Sequence, residues 1–323
     1  MKVPLSDHFD GNRFFNPTLP KGFAPSRLDA IKMAREPHSQ WPTWVQNTGV
    51  HRLNEMRAAD EIAAITFVNH ATFLIETGGI TILTDPIWSE RASPFRGIGP
   101  KRVRAPGVAF EDIPRVDVIL LSHNHYDHLD VATLRRLRQS FAPTVLAAAG
   151  DARILGPLGF NSMRELDWWD EIQFNHALKI TFVPAQHFSA RGLFDQRKSL
   201  WGGYMIENRG RRLYFAGDTG YSTHFSDIRI RLGTPDIALL GIGSYEPRWF
   251  MKPIHMNPAE AVRAHQDLGS KQSIGMHFGT FQLTTEAIDQ PQADLKLALS
   301  KSGIPENQFV TLQEGETRSF PAD

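Results

Sequence analysis

The sequence predicts an α/β protein with a reactive site at the ends of its strands. Two observations carry that expectation. Short apolar, β-branched runs alternate with helical stretches along the chain. One of these runs, Val116 to Leu121, reads as a buried strand, stops in Ser122 and gives way to His123, His125, Asp127 and His128. Four metal-competent side chains this close together are costly to bury without partners. Imidazole and carboxylate are the ligands that zinc and similar ions take when thiolate is absent. On an extended segment His123 and His125 point the same way, because side chains repeat every two residues. Asp127 and His128 follow the turn at Tyr126 and are free to face a second ion.

The remaining elements follow in order. Residues 1–60 hold six prolines and scattered aromatics with no clear period. They read as an extension that wraps a main domain of residues 61–323, with a membrane-facing or homodimer-facing arm as the alternative. Ile65 and Phe67, then Phe73 to Ile75, form strand-like runs, and Gly78-Gly79 marks a hairpin into Ile80 to Leu83. Asp85 ends that strand and is placed to orient a histidine ligand from behind. Residues 88–107 read as a long loop carrying Arg91, Arg96, Lys101, Arg102 and Arg104, a local basic cluster that either meets phosphate or is only a solvated loop.

Val131 to Arg138 reads as a helix, Thr144 to Ala148 as a strand and Ala152 to Leu158 as a short helix. Strands near Ile172 to Phe174 and Leu178 to Val183 follow, and the second runs into His187. A hairpin pairs Gly202 to Glu207 with Arg211 to Ala216 and ends in Asp218. Later come a helix over His224 to Leu232, a strand over Ile237 to Leu240, and a helix over Pro258 to Leu268 with proline at its tolerated start. Ser273 to Met276 is a strand ending in His277. Leu295 to Leu299 lies in a helix, and Phe309 to Leu312 forms a closing strand.

Composition narrows the function. Lys+Arg and Asp+Glu are both 35, so no basic field points to nucleic acid. The chain has no cysteine, which excludes disulfides and thiolate ligands. No stretch of about 18 apolar residues predicts a membrane span. The first residues lack the apolar run of a signal peptide, so the expected location is cytoplasmic, with peripheral membrane contact left open. A nucleotide P-loop is excluded by the absence of its glycine-lysine pattern.

Asp85, the His123–His128 cluster, His187, Asp218 and His277 thus close five separate strands. They are too many donors for one tetrahedral ion and suit two ions about 3.5–4 Å apart. In this order and spacing they resemble the motifs of the metallo-β-lactamase superfamily over roughly residues 60–315. Within it, the strings His123 to Asp130, Glu165 to Trp169, Phe215 to Tyr221, Tyr245 to Lys252 and His277 to Phe281 resemble the branch of N-acylphosphatidylethanolamine-hydrolysing phospholipases D. The sequence departs from that branch at Asn69 and Ile254, where glycine and glutamine are usual.

The resemblance implies a four-layer αβ/βα sandwich. It implies two Zn²⁺ ions, one on His123, His125 and His187, the other on Asp127, His128 and His277, with Asp218 bridging. His255 falls where the family has a histidine near the substrate phosphate. Asp127, Asp218 and His255 are the expected catalytic residues. Tyr126, Tyr245 and Arg248 are expected to contact substrate; Trp88, Trp249, Phe250 and the N-terminal aromatics are candidates for an apolar surface that meets acyl chains, with packing into the core as the alternative for each. The implied reaction is hydrolysis of a phospholipid phosphodiester. A lactonase using the same site and a non-catalytic metal sensor are the alternatives.

Overall fold

A computed structural model describes residues 6–20, 23–48, 61–95, 97–192 and 194–321. Two seven-stranded sheets dominate it. The first contains β1 (Glu61–Asn69), β2 (Thr72–Thr77), β3 (Ile80–Thr84), β4 (Val118–Leu120), β5 (Thr144–Ala148) and β6 (Ser162–Leu166). The second contains β7 (Glu171–Gln173), β8 (Leu178–Val183), β9 (Gly203–Asn208), β10 (Arg211–Phe215), β11 (Ile237–Gly241), β12 (Gln272–Met276) and β13 (Phe309–Thr311). The last strand, β14 (Thr317–Pro321), returns to the first sheet and pairs antiparallel with β1. The helices are α1 (Arg27–Ala34), α2 (Val131–Ser140), α3 (Ala152–Leu155), α4 (His224–Leu232), α5 (Arg248–Met251), α6 (Pro258–Leu268) and α7 (Gln290–Ser302).

Both sheets are built on one plan. β1, β2 and β3 pair antiparallel, and β3 to β6 continue in parallel. In the second sheet β7 to β10 are antiparallel and β10 to β13 parallel. A parallel pair needs a crossover, and the helices supply them: α2 between β4 and β5, α4 between β10 and β11, α6 between β11 and β12. The carboxyl ends of parallel strands therefore gather at one edge of each sheet, where α/β folds place their sites.

Side-chain alternation separates the layers. Ile82, Leu120 and Leu146 join the core between the sheets, with Phe182, Tyr204 and Ile206 from the other side. Their neighbours Leu83, Ile119, Leu121 and Val145 face outward onto Leu134 and Leu137 of α2 and Leu155 of α3. Phe225, Ile228, Val262 and Leu299 extend the inter-sheet core cluster into α4, α6 and α7. The architecture is the αβ/βα sandwich expected from the resemblance.

Several elements differ from the sequence expectations. The central strand is paired as a named ladder only over Val118–Leu120, although Val116 and Leu121 are also buried. β6, β14, α1 and the short α5 have no clear apolar period in the sequence to mark them. The basic loop is another correction. Arg102 is buried and donates to the carbonyls of Ser89 and Ile87 at 2.9 and 3.1 Å. Arg104 donates to Glu314 at 2.5 Å, Arg91 to Gly99 O at 2.6 Å, and Lys101 pairs with Glu90 at 2.9 Å. These cations hold the loop together rather than offering a phosphate site; Arg96 lies outside the described residues.

One buried side chain ties the two sheets directly beneath the metal-competent loop. Tyr204 of β9 is fully buried and its hydroxyl contacts the carbonyls of Leu121 and Leu146 at 2.9 and 3.0 Å. Tyr204→Phe removes that donor and leaves buried carbonyl oxygen under-satisfied. Stability is expected to fall by about 1–3 kcal/mol. Urea unfolding checks this; an unchanged midpoint would show that the link contributes nothing.

Candidate metal centre

The strand ends bring nine titratable side chains into one buried cluster. His123, His125, Asp127 and His128 come from the loop after β4. His187 follows β8, Asp218 follows β10, His277 follows β12, and His255 lies between α5 and α6. The ninth is His70, at the turn between β1 and β2. The backbone is bent to aim two of them and the Asp85 behind them: His70, Asp85 and His277 have φ of 50°, 33° and 64°, in the left-handed region that L-residues rarely occupy. Gly217 does the same for its neighbour Asp218. Its φ is 59°, and a Cβ there would lie 2.6 Å from Ser122 Cβ.

The donors fall into two groups that meet at Asp218. In the first, His123 Nε2 and His187 Nε2 lie 2.9 and 3.3 Å from His125 Nδ1, and each is 3.8 Å from Asp218 Oδ2. In the second, Asp127 Oδ2 lies 3.3 Å from His128 Nε2 and 3.4 Å from His277 Nε2. Those two nitrogens are 3.2 Å apart and lie 3.0 and 3.2 Å from Asp218 Oδ2. Ligands about 2.05 Å from a tetrahedral zinc are about 3.3 Å from one another. Each group thus has the dimensions of one ion's shell. Imidazole lone pairs this close repel one another unless a proton or a cation sits between them.

The charges lead to the same conclusion. Burial opposes a proton on His128, yet the carboxylates of Asp218, Asp127 and Asp85 outweigh it and hold its pKa well above the ordinary value. His277 likewise resists burial and is raised to about 9 by Asp218 and Asp127. Burial and neighbouring histidines lower His125 to about 3, and burial takes His187 to about 4. One end therefore offers neutral lone pairs, and the other calls for positive charge. Asp218 Oδ1 and His277 Nδ1 are buried and have no hydrogen-bond partner among the described residues. The donor set fits divalent cations that prefer imidazole and carboxylate.

A second layer orients the rings. Asp85 Oδ2 lies 2.7 Å from His128 Nδ1 and also accepts from the Ser122 hydroxyl at 2.6 Å. Ser122 Oγ is 2.9 Å from His123 Nδ1, and Ile254 O is 2.9 Å from His187 Nδ1. With Nδ1 engaged this way, His128, His123 and His187 each turn Nε2 inward.

His255 sits at the edge, its Nε2 3.7 Å from Asp218 Oδ2. The other three residues expected to contact substrate also bond within the fold. Tyr245 is buried with its hydroxyl on Asp294 at 2.5 Å. Arg248 donates to Tyr245 O, His255 O and Glu260, which steadies the segment carrying His255. The Tyr126 hydroxyl donates to Arg191 O, and the Arg191 guanidinium stacks 3.9 Å over its ring. Both line a cleft of about 550 Å³ with Arg91, Phe95 and Arg135.

Sequence reasoning passed over His70. Its Nε2 is 2.9 Å from Asp127 Oδ2, its carbonyl accepts from His277 N at 2.8 Å, and its N–H donates to Thr280 Oγ1. It therefore touches two donors of the second group. A lone histidine in a hairpin turn carries no spacing signal to reveal this.

These features define a class. A family model for the β-lactamase superfamily domain matches residues 81–278, and the chain belongs to that family. It is a metal-dependent hydrolase of the superfamily. A Caenorhabditis elegans N-acyl-phosphatidylethanolamine-hydrolyzing phospholipase D is 39% identical over 78% of this chain and 74% of its own length. The mitochondrial enzyme of the same name from Saccharomyces cerevisiae is 34% identical over 75% of this chain and 53% of its own length. Among solved structures, an isothiocyanate hydrolase from Delia radicum gut bacteria shares the fold, with a TM-score of 0.64, 23% identity, and coverage of 80% of this chain and 99% of its own.

If Asp127, His128 and His277 hold an ion, His70→Ala is expected to weaken its binding by about 10–100-fold, as loss of an orienting partner does. Metal content after dialysis against graded chelator measures this. Retention equal to the unmodified protein would remove His70 from the centre.

Proposed function

We propose that this protein is a binuclear zinc phosphodiesterase of the phospholipase D type, acting on N-acylphosphatidylethanolamine-like phospholipids. The carrying observation is Asp218, whose Oδ2 lies within 3.0–3.8 Å of nitrogens from both ligand groups. That position suits a carboxylate shared by two ions. The 39% identical relative supports the substrate class. His123, His125 and His187 would hold one ion, and Asp127, His128 and His277 the other. Bound divalent ions in such sites polarise phosphoryl oxygens and make a nucleophile available from water near neutral pH.

The chain's own groups do the rest. Asp127, with His70 on its Oδ2, is aimed to orient the attacking water. His255 is placed beside Asp218, where a neutral imidazole can meet a phosphate oxygen. Burial first, and then neighbouring His187 and His277, keep its pKa well below the ordinary value, so it is neutral near pH 7. Asp85, by holding His128, fixes the geometry without touching substrate.

Acyl chains need an apolar approach. Leu28 and Ile31 of α1 are exposed, as is Trp249 of α5, with Lys32 lying 4.5 Å over the Trp249 ring. Phe95 adds exposed apolar surface beside the Arg191 cleft. We assign these residues to peripheral contact with a lipid surface. Trp88 is turned inward and bonds Val108 O, so it takes no part. No helix among the described residues is long and apolar enough to cross a membrane.

Purified protein is expected to hydrolyse bis-p-nitrophenyl phosphate and N-acylphosphatidylethanolamine in vesicles, and chelator should abolish both activities. Asp218→Asn should cost at least about 100-fold in rate and release metal. A panel dominated by lactones, or no turnover of any substrate by metal-loaded protein, would overturn the reading in favour of a lactonase or a sensor. The protein should also float with phosphatidylcholine–phosphatidylglycerol vesicles, and the double change Leu28→Glu, Trp249→Glu should reduce flotation. Absence of binding to any vesicle would refute the membrane assignment.

A further inference from the structure

The N-terminal segment reaches the metal centre. Phe14 is buried in the core cluster between the sheets, and its N–H donates to Arg197 O at 2.8 Å. Arg197 returns a bond from its guanidinium to Phe14 O at 3.2 Å. Upstream, His8 stacks on Trp168 at 4.2 Å and pairs with Asp167 at 2.6 Å. The Asp167-Trp168 pair thus anchors this arm.

Asn16 comes next, and it is buried. Its amide Nδ2 donates to His187 O at 2.8 Å, and its Oδ1 accepts from His187 N at 3.2 Å. A single side chain therefore pairs with both backbone groups of a candidate ligand, as a neighbouring strand would. The same Oδ1 accepts from the Trp201 indole at 3.1 Å, which fixes the orientation of the amide. Two residues on, Thr18 Oγ1 donates to Gln186 Oε1 at 2.6 Å.

Gln186 and His187 form a junction. Gln186 Nε2 donates to Pro253 O at 2.8 Å, and Gln186 N donates to Thr219 Oγ1 at 2.9 Å. Gly220 N donates back to Gln186 O, and Met256 N to Thr219 O. His187 Nδ1 meets Ile254 O. The segments carrying Asp218 and His255 thus hang on the two residues that the arm grips. β8 ends at Val183, so no strand pairing holds His187 at that point.

We propose that Asn16 is a positioning residue for the ion site of His123, His125 and His187, and that residues 8–18 are a working part of the metal centre. This rests on the reading of that cluster as a metal site. Removing the Asn16 amide frees the His187 backbone, so the ring loses its fixed approach while its own nitrogen chemistry is untouched. Outer partners of ligands typically matter 10–100-fold in metal affinity.

The test is titration of metal-free full-length protein with Co²⁺, followed by visible absorption and by mass spectrometry of metal per chain. Asn16→Ala should lose about 10-fold or more in affinity at one ion site and less than about 3-fold at the other. Thr18→Val, a change at an exposed residue that is expected to fold even where Asn16→Ala does not, should show a smaller loss at the same site. Leu299→Ala, buried in α7 away from the cluster, serves as a control that lowers thermal stability and leaves both affinities intact. Unchanged affinities in both arm variants would overturn the proposal, as would an equal loss at both sites. If wild-type protein takes up no ion, the metal-site reading itself fails and the proposal falls with it.

Discussion

The structure depends on how a cluster of buried imidazoles and carboxylates is neutralised. Asp218 and Asp127 lie among histidines with little water to screen them, and their pKa values sit well below the ordinary carboxylate value. Burial pushes the other way; His128 and the surrounding histidines outweigh it. Without cations the carboxylates draw protons onto His128 and His277. A divalent ion in each ligand group would supply the same positive charge with better geometry. Metal uptake should therefore displace protons, which couples loading to pH.

The fold makes such a cluster tolerable. Each sheet has a parallel half whose strands end at one edge, and the sandwich brings the two edges together. The donors sit on loops, but apart from that of His255 each loop starts from a strand, so little freedom remains at the base. Left-handed backbone at His70, Asp85 and His277 uses that rigidity: the conformations are unfavourable alone and persist because the surrounding hydrogen bonds impose them. Tyr204 shows the same economy, one hydroxyl meeting two carbonyls of the opposite sheet beneath Ser122.

The basic and aromatic residues illustrate how position decides role. Arg102 and Arg104 look like phosphate binders in a linear reading, yet both satisfy carbonyls or a carboxylate inside the fold. Trp88, expected to offer apolar surface to acyl chains, instead turns its indole onto Val108 O. Leu28 and Trp249 are among the apolar residues that face solvent, and they come from elements with no clear amphipathic period.

The sequence by itself determined the ligand chemistry. Histidines and aspartates at the ends of apolar runs are visible because strand ends are marked by composition and because His-x-His-x-Asp-His is a local pattern. The same runs made most of the strands and the layered fold class legible. What only the tertiary structure decided are the contacts between residues far apart in the chain. His70 touches Asp127 from a turn 57 positions away, and Asn16 grips His187 from 171 positions away. Neither has a period or a spacing to announce it, since their partners are brought near only when the two sheets close on each other. The short strand β6, the returning β14 and the helix α1 were hidden for a related reason: their residues form these elements through neighbours in space, not through a pattern of their own.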